Sequence, residues 1–254
     1  MHPILFEFGP LKIYAYGFSL ALGFIVGTYL ASLEAQRVGL PAKKIIDLSL
    51  YLAISGILGA RLLYVLQNLA FYISNPGEIF MLHKGGLSFY GGFILATICA
   101  IVFLKKEQLS VPKVLDLIAP YLALAQSIGR IGCLLNGCCY GQPTDFGFCI
   151  YFPGEGIARH PTQIYSSLSL LVIFFILRNR QTRRGRGPYF SGQIFLWYCL
   201  LYSLMRFFME FLRGDNLRIF ANLSLHQLIS MVIFVISGVF LWKKKRDLSS
   251  RSLP

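Results

Sequence analysis

Seven stretches of this chain approach the roughly 20 consecutive apolar residues that a helix needs to cross a hydrocarbon core. They run near Tyr14–Leu33, Ile46–Leu69, Leu87–Leu104, Leu117–Leu135, Pro161–Leu177, Ser191–Leu212 and Leu225–Trp242. No water is present at membrane depth, so each segment must satisfy its own backbone polar groups, and that confines it to helix. Composition agrees. Hydrophobic residues make up 56% of the 254 and charged ones only 14%, where soluble domains carry about 25% charged residues. The expectation is an all-α integral membrane protein with about seven transmembrane helices. Residues 1–254 read as a single polytopic domain, with 243–254 a short, mobile basic cytoplasmic tail. The segments near Leu117 and Pro161 are the weakest, because glycine, proline and polar residues interrupt them. No internal repeat, low-complexity tract or appended soluble domain is visible. Glu7 and Pro10 before the first long apolar run argue against a cleaved leader.

The net charge of +13 raises nucleic acid as a partner, and its placement argues against one. Arg37, Lys43 and Lys44 follow the first span; Lys105, Lys106 and Lys113 follow the third. Arg178, Arg180, Arg183, Arg184 and Arg186 follow the fifth, and Lys243, Lys244, Lys245, Arg246 and Arg251 follow the last. The opposite side holds only Lys12, Lys84, Arg159, Arg213 and Arg218. The positive-inside bias then predicts an N-terminus outside and a C-terminus in the cytoplasm.

Three arginines, Arg61, Arg130 and Arg206, lie inside the apolar stretches. A charge at that depth is costly, so such residues face a polar interior and mark functional paths. Arg130 sits between Gly129 and Gly132, and its planar fork matches phosphate oxygens. Asn136, near the outer end of the same span, is placed to orient an ester or hydroxyl. Arg206 and Glu210 share a helical face at i, i+4, and Arg213 extends that face toward the outer surface. The run His83-Lys-Gly-Gly-Leu-Ser-Phe-Tyr-Gly-Gly92 brings paired glycines, including Gly91 and Gly92, whose exposed N–H groups suit an anion. With Tyr14–Gly17, Asn136–Pro161 and Arg213–Asn216, this run falls on the outward face. A basic pocket at membrane depth suits an anionic lipid head group. Structural readings stand beside these: Arg130 pairing with Asp116 or Glu210, a purely structural Arg206–Glu210 pair, and glycines that only pack helices.

Of six cysteines, Cys133, Cys138, Cys139 and Cys149 fall on the outward side, where disulfides are permitted. A bridge from Cys138 or Cys139 to Cys149 is the more plausible pairing. A metal site with His160 is conceivable, but the spacing matches no standard zinc pattern. Neither a metal nor a cofactor is expected.

Seven ordered motifs carry a resemblance over nearly the whole chain. They are Tyr16-Gly17; Gly59-Ala-Arg61; Gly85-Gly-Leu-Ser-Phe-Tyr-Gly-Gly92; Asp116-Leu-Ile-Ala-Pro120; Gly129-Arg-Ile-Gly-Cys-Leu-Leu-Asn-Gly137; Arg159-His-Pro-Thr-Gln-Ile-Tyr165; and Arg206-Phe-Phe-Met-Glu-Phe-Leu-Arg213. The chain resembles the bacterial prolipoprotein diacylglyceryl transferases. That resemblance implies seven spans in the bacterial cytoplasmic (inner) membrane. It implies transfer of the diacylglyceryl group of phosphatidylglycerol to the lipobox cysteine thiol of prolipoprotein signal peptides. Arg130 falls on the family's signature arginine, Asn136 on its second asparagine, Arg206 and Glu210 on its late pair, and Tyr16 on its first-span tyrosine.

The chain departs from that pattern at four positions. Cys133 stands where the family often has Asn, Cys138 where it has Glu, Tyr90 where a well-known version has His, and Ser166 where Glu follows the His-Pro motif. Arg130 and Arg206 are expected to stabilise the departing phosphate. Tyr90 is expected to orient the thiol or relay its proton, although a phenol is a poor base at neutral pH. The alternatives are a paralogue with another acceptor or a non-catalytic transporter of anionic lipid, for which no inverted repeat is seen.

Overall fold

The computed structural model describes residues 3–9, 11–81, 85–145, 147–151, 156–183, 189–214, 218–220 and 223–251. An antiparallel hairpin comes first, β1 (Ile4–Phe8) with β2 (Leu11–Tyr14). Then follow α1 (Ala15–Arg37), α2 (Ala42–Gln67), a short α3 (Leu69–Ser74), a 3-10 turn over Pro76–Phe80, α4 (Phe89–Lys106) and α5 (Val111–Asn136). Two short strands, β3 (Ile150–Tyr151) and β4 (Ala158–Arg159), pair before α6 (Thr162–Thr182) and α7 (Gln193–Leu212). A last pair, β5 (Arg218–Phe220) and β6 (Leu223–Ser224), leads into α8 (Leu225–Arg251).

Seven of these helices, α1, α2 and α4 to α8, are long and apolar enough to cross a membrane. Their outward faces are what a lipid-facing surface requires: Phe93, Val172 and Val235 are all more than half exposed. Water would not tolerate that much apolar surface, whereas acyl chains do. Among the described residues, α8 continues from Lys243 to Arg251, so this part of the basic tail expected from sequence is helical.

The chain forms two compact units, Ala31–Val114, and Met1–Leu30 with Leu115–Pro254. In the first, α2 and α4 meet through glycine. A Cβ on Gly59 would lie 2.4 Å from the Gly91 carbonyl oxygen, and one on Gly91 would lie 2.2 Å from that of Gly59. Gly92 meets the Gly56 carbonyl in the same way, at 2.8 Å. Small residues let membrane helices approach this closely. Arg61 lies beside that seam and is buried. Its Nε donates to the Ile79 carbonyl at 2.8 Å, and its Nη1 donates to Gly85 and Gly86 at 2.8 and 3.0 Å. Nη2 takes the Glu78 carbonyl, and the guanidinium lies 5.3 Å from the Tyr72 ring centroid. Each guanidinium nitrogen donates to main chain, so Arg61 pins the segment between α3 and α4. The functional path expected of it from sequence gives way to a scaffold role.

In the second unit, α5 is the central helix. A Cβ on Gly23 of α1 would meet the Ala125 carbonyl at 2.7 Å, and one on Gly132 would meet Ser19 at 2.6 Å. The core holds Ala119, Ala123, Ile173, Leu177, Ile194 and Tyr198. Pro120 removes the N–H that would engage the Asp116 carbonyl. Gln181 supplies the replacement, its Nε2 donating to the carbonyls of Asp116 and Leu117 at 3.2 and 3.1 Å. The Asp116 carboxylate caps α7, accepting from the N–H groups of Gly192 and Phe195 at 2.7 and 2.9 Å and from the Tyr189 hydroxyl. An anion at a helix N-terminus is favoured by the helix dipole.

Candidate functional site

The C-terminal ends of α5 and α7 and the N-terminal ends of α1, α6 and α8 gather at one end of the second unit. The segment after α5 is stitched to its neighbours through main chain. Gln142 N–H donates to the Leu212 carbonyl at 2.7 Å, Gly141 N–H to His160 at 2.9 Å, and His160 N–H back to Gln142 at 3.1 Å. Gly141 has no room for a side chain, since a Cβ would lie 2.7 Å from the Leu212 oxygen. Arg159 lies 4.7 Å from the Tyr140 ring centroid and donates to the Gly141 carbonyl at 3.3 Å. At the start of α6, Thr162 Oγ1 donates to the Cys139 carbonyl and Gln163 Nε2 to the Cys138 carbonyl, each at 2.7 Å. These bonds hold a polar loop rigid at a membrane boundary, where unpaired main chain is expensive.

Against this frame stands Arg130. A cavity of about 210 Å³ is lined by Arg130, Ile131, Leu134, Gln163, Ile164, Ser167 and Leu168. Among the described residues, no hydrogen bond or ion pair engages the Arg130 guanidinium. A Cβ on the neighbouring Gly129 would touch nothing within 4 Å, so the helix surface at Gly129 is open. Gln163 is 1% exposed, and its Oε1 is buried without a hydrogen-bond partner while its Nε2 is spent on Cys138. Arg130 and Gln163 thus share a cavity whose other walls are mainly apolar.

Arg206 and Glu210 do pair, with Nη2 to Oε2 at 3.1 Å. The contact is an ion pair by distance but lacks hydrogen-bond alignment. The other carboxylate oxygen accepts from the Ser224 hydroxyl at 2.7 Å, and His226 Nδ1 lies 3.4 Å from it. The charges of Arg130 and Arg213 both act on Arg206. Arg206 is thus paired with one buried carboxylate and lies in the field of two further guanidinium groups. The structural alternative for Arg130 falls away, because Asp116 caps α7 and Glu210 engages Arg206 and Ser224.

Tyr16 enters from the first turn of α1, where Gly132 lets the Tyr16 backbone within 3.2 Å of a would-be Cβ. The Asn136 side chain ends α5 and donates to the Cys138 thiol, which burial pushes up. Cys139 goes the other way, down to about 5, through a hydrogen bond with the Cys133 thiol and the positive charges of Arg213 and Arg130. All six cysteines are free thiols, so the bridge to Cys149 expected from sequence is not formed. Cys138 and Cys139 group with Cys133 instead.

The remaining sequence candidates lie in the other compact unit. Tyr90, exposed, and Gly91 and Gly92 form the first turn of α4. Gly91 and Gly92 face α2, which favours helix packing over anion binding. His83 and Lys84, like Asp215 and Asn216, fall outside the described residues.

The family model described as prolipoprotein diacylglyceryl transferase matches residues 3–243. The chain belongs to the prolipoprotein diacylglyceryl transferase family. It is 38% identical to the phosphatidylglycerol–prolipoprotein diacylglyceryl transferase of Clostridium tetani, over 97% of this chain and 98% of that one. The similar proteins of Finegoldia magna and Oceanobacillus iheyensis are 38% and 34% identical, covering 95% and 98% of this chain and 94% and 90% of theirs.

The structure brings together Tyr16, Arg130, Asn136, Arg206, Glu210 and Arg213 from α1, α5 and α7. Sequence reasoning gave no role to Gln163 or Thr162, although both sit in the His-Pro-Thr-Gln motif. Their signal was present: two hydrogen-bonding side chains opening a membrane helix have to bond something. Ser224 and His226, which complete the Glu210 environment, left no mark.

Proposed function

We propose that this chain transfers the diacylglyceryl group of phosphatidylglycerol to the lipobox cysteine of prolipoproteins, the first step of bacterial lipoprotein maturation. Family membership over the full length supports the reading. The observation that carries it to the residues is the open Arg130 guanidinium in a cavity shared with Gln163.

The acceptor thiolate attacks the glycerol carbon bound to the phosphate oxygen. A carbon–sulfur bond forms, the carbon–oxygen bond breaks, and the electron pair leaves on glycerol phosphate. Arg130 holds the phosphate through its paired N–H groups. Arg206, set by Glu210, adds positive charge where the leaving group gains negative charge. Arg213 extends the positive field toward the loop, Asn136 and Tyr16 contribute to substrate binding, and Gln163 lines the cavity with Arg130. The role expected of Tyr90 from sequence, orienting the acceptor thiol or relaying its proton, is tested by the rate of a Tyr90→Phe variant.

The charge bias of the loops supports a site at the outer side of the bacterial cytoplasmic membrane, with the N-terminus outside and the C-terminus inside. Signal peptides presented on that side are the acceptors this orientation serves.

Following lipid and peptide together by mass spectrometry tests the transfer. Phosphatidylglycerol loss, glycerol phosphate release and thioether formation should run in equal amounts and stop when the peptide cysteine is replaced by serine. Lipid that stays bound and unchanged beside a free thiol peptide would favour a carrier and overturn the proposal.

A further inference from the structure

The Sγ atoms of Cys133, Cys138 and Cys139 lie within 4.8 Å of one another. The mechanism above uses none of them. Cys133 sits on the last turns of α5, and the chain reverses just beyond it. Gly137 and Cys139 both adopt left-handed backbone, with φ of 71° and 62°. Such a conformation is uncommon for a residue with a side chain and persists only where its surroundings impose it. Here Cys138 N–H bonds the Cys133 carbonyl at 3.1 Å, while Gln163 and Thr162 hold the carbonyls of Cys138 and Cys139. In an extended strand two adjacent cysteines would point to opposite sides. This loop turns both onto the Cys133 thiol.

We propose that Cys133, Cys138 and Cys139 form a three-thiolate binding site for a thiophilic d10 cation of the zinc class. Zinc–sulfur bonds of about 2.3 Å around a tetrahedral ion place sulfurs roughly 3.8 Å apart. Side-chain rotation closes the remaining ångström or less without moving the loop. Each coordinating thiol gives its proton to solvent, three metal–sulfur bonds form, and nothing is oxidised. The charges of Arg130 and Arg213, which act on Cys139, offset the surplus negative charge of three thiolates on a divalent ion. One coordination position stays open. Sequence spacing hid the site, because Cys-x4-Cys-Cys follows no standard zinc pattern; neither Cys149 nor His160 belongs to the group.

The test uses the full chain in detergent, reduced and stripped with chelator, with all six thiols counted before titration. Co2+ replaces Zn2+ as the optical probe, since thiolate ligation gives intense charge-transfer absorption. One equivalent of Co2+ should bind with that absorption and be displaced by Zn2+. Binding should disappear in Cys138→Ser/Cys139→Ser and persist in Cys99→Ser/Cys149→Ser/Cys199→Ser. Absent charge transfer in the reduced wild-type protein would overturn the proposal whatever the variants do. So would full binding by the Cys138→Ser/Cys139→Ser variant.

Discussion

Glu210 Oε2 lies 3.1 Å from Nη2 of Arg206, one helical turn back on α7, and only 1% of the Glu210 side chain is exposed. An ion pair so placed is weak evidence of stability, because both charges lose solvent to meet. Its partners say more. Ser224 and His226 hold the carboxylate from the α8 side, so Arg206 is fixed from two helices. That is the arrangement expected of a charge that must keep its direction while another charge develops beside it.

Removing one member alone should be worse than removing both. Glu210→Ala leaves Arg206 buried without its carboxylate, and a loss of about 3–5 kcal/mol is expected. The double variant Arg206→Met/Glu210→Met should regain most of that stability and stay inactive. Thermal melts in detergent, with transfer assays on the same samples, separate the two effects. A Glu210→Ala protein as stable as wild type would show that the pair does not carry the local packing.

Helix packing in the other unit gives a cleaner contrast. Gly59→Ala sets a methyl 2.4 Å from the Gly91 carbonyl oxygen, whereas a methyl on Gly56 meets nothing within 4 Å. Overpacking of this kind costs about 1–3 kcal/mol. Gly59→Ala should therefore melt well below wild type and Gly56→Ala close to it. Equal melting temperatures for the two variants would contradict the α2–α4 seam.

The Cys139 thiol predicts a pH profile. Its hydrogen bond with Cys133 and the charges of Arg213 and Arg130 lower it to about 5, below the ordinary thiol value near 8.5. The thiolate is the nucleophile. In reduced, metal-free protein, alkylation of Cys139 by iodoacetamide should be level above about pH 6 and fall as pH drops through 5. The sign for stability is the same: a depressed folded value stabilises the fold above the unfolded value, and that contribution is lost as pH falls through 5. Peptide mapping after timed alkylation reads the site. A Cys139 profile that rises only above pH 8 would refute it.

Much of this was legible because membrane burial simplifies the code. The seven spans follow from apolar length, and Arg206 with Glu210 follows from i, i+4 spacing. Arg130 stood out because hydrocarbon penalises it. The same logic misread Arg61, whose charge is met by carbonyls of a segment remote in sequence, a contact that no local pattern encodes. Asp116 looked like a partner for Arg130, yet it caps a helix that starts some 76 residues later. The outward cysteines were legible as a group, but the triad of Cys133, Cys138 and Cys139 was not, because it depends on left-handed backbone at Cys139, which residue type does not announce. Gln163 escaped because its meaning lies in an acceptor left open.

The most direct test of the central claim is mass spectrometry of a lipobox peptide incubated with phosphatidylglycerol and either the wild-type protein or Arg130 variants. Wild type should produce a diacylglyceryl adduct on the peptide cysteine. Arg130→Ala should reduce its rate at least about 100-fold, as loss of a transition-state donor does. Arg130→Lys should recover little, because a point charge cannot replace the planar fork. An adduct formed at the wild-type rate by Arg130→Ala would contradict the account.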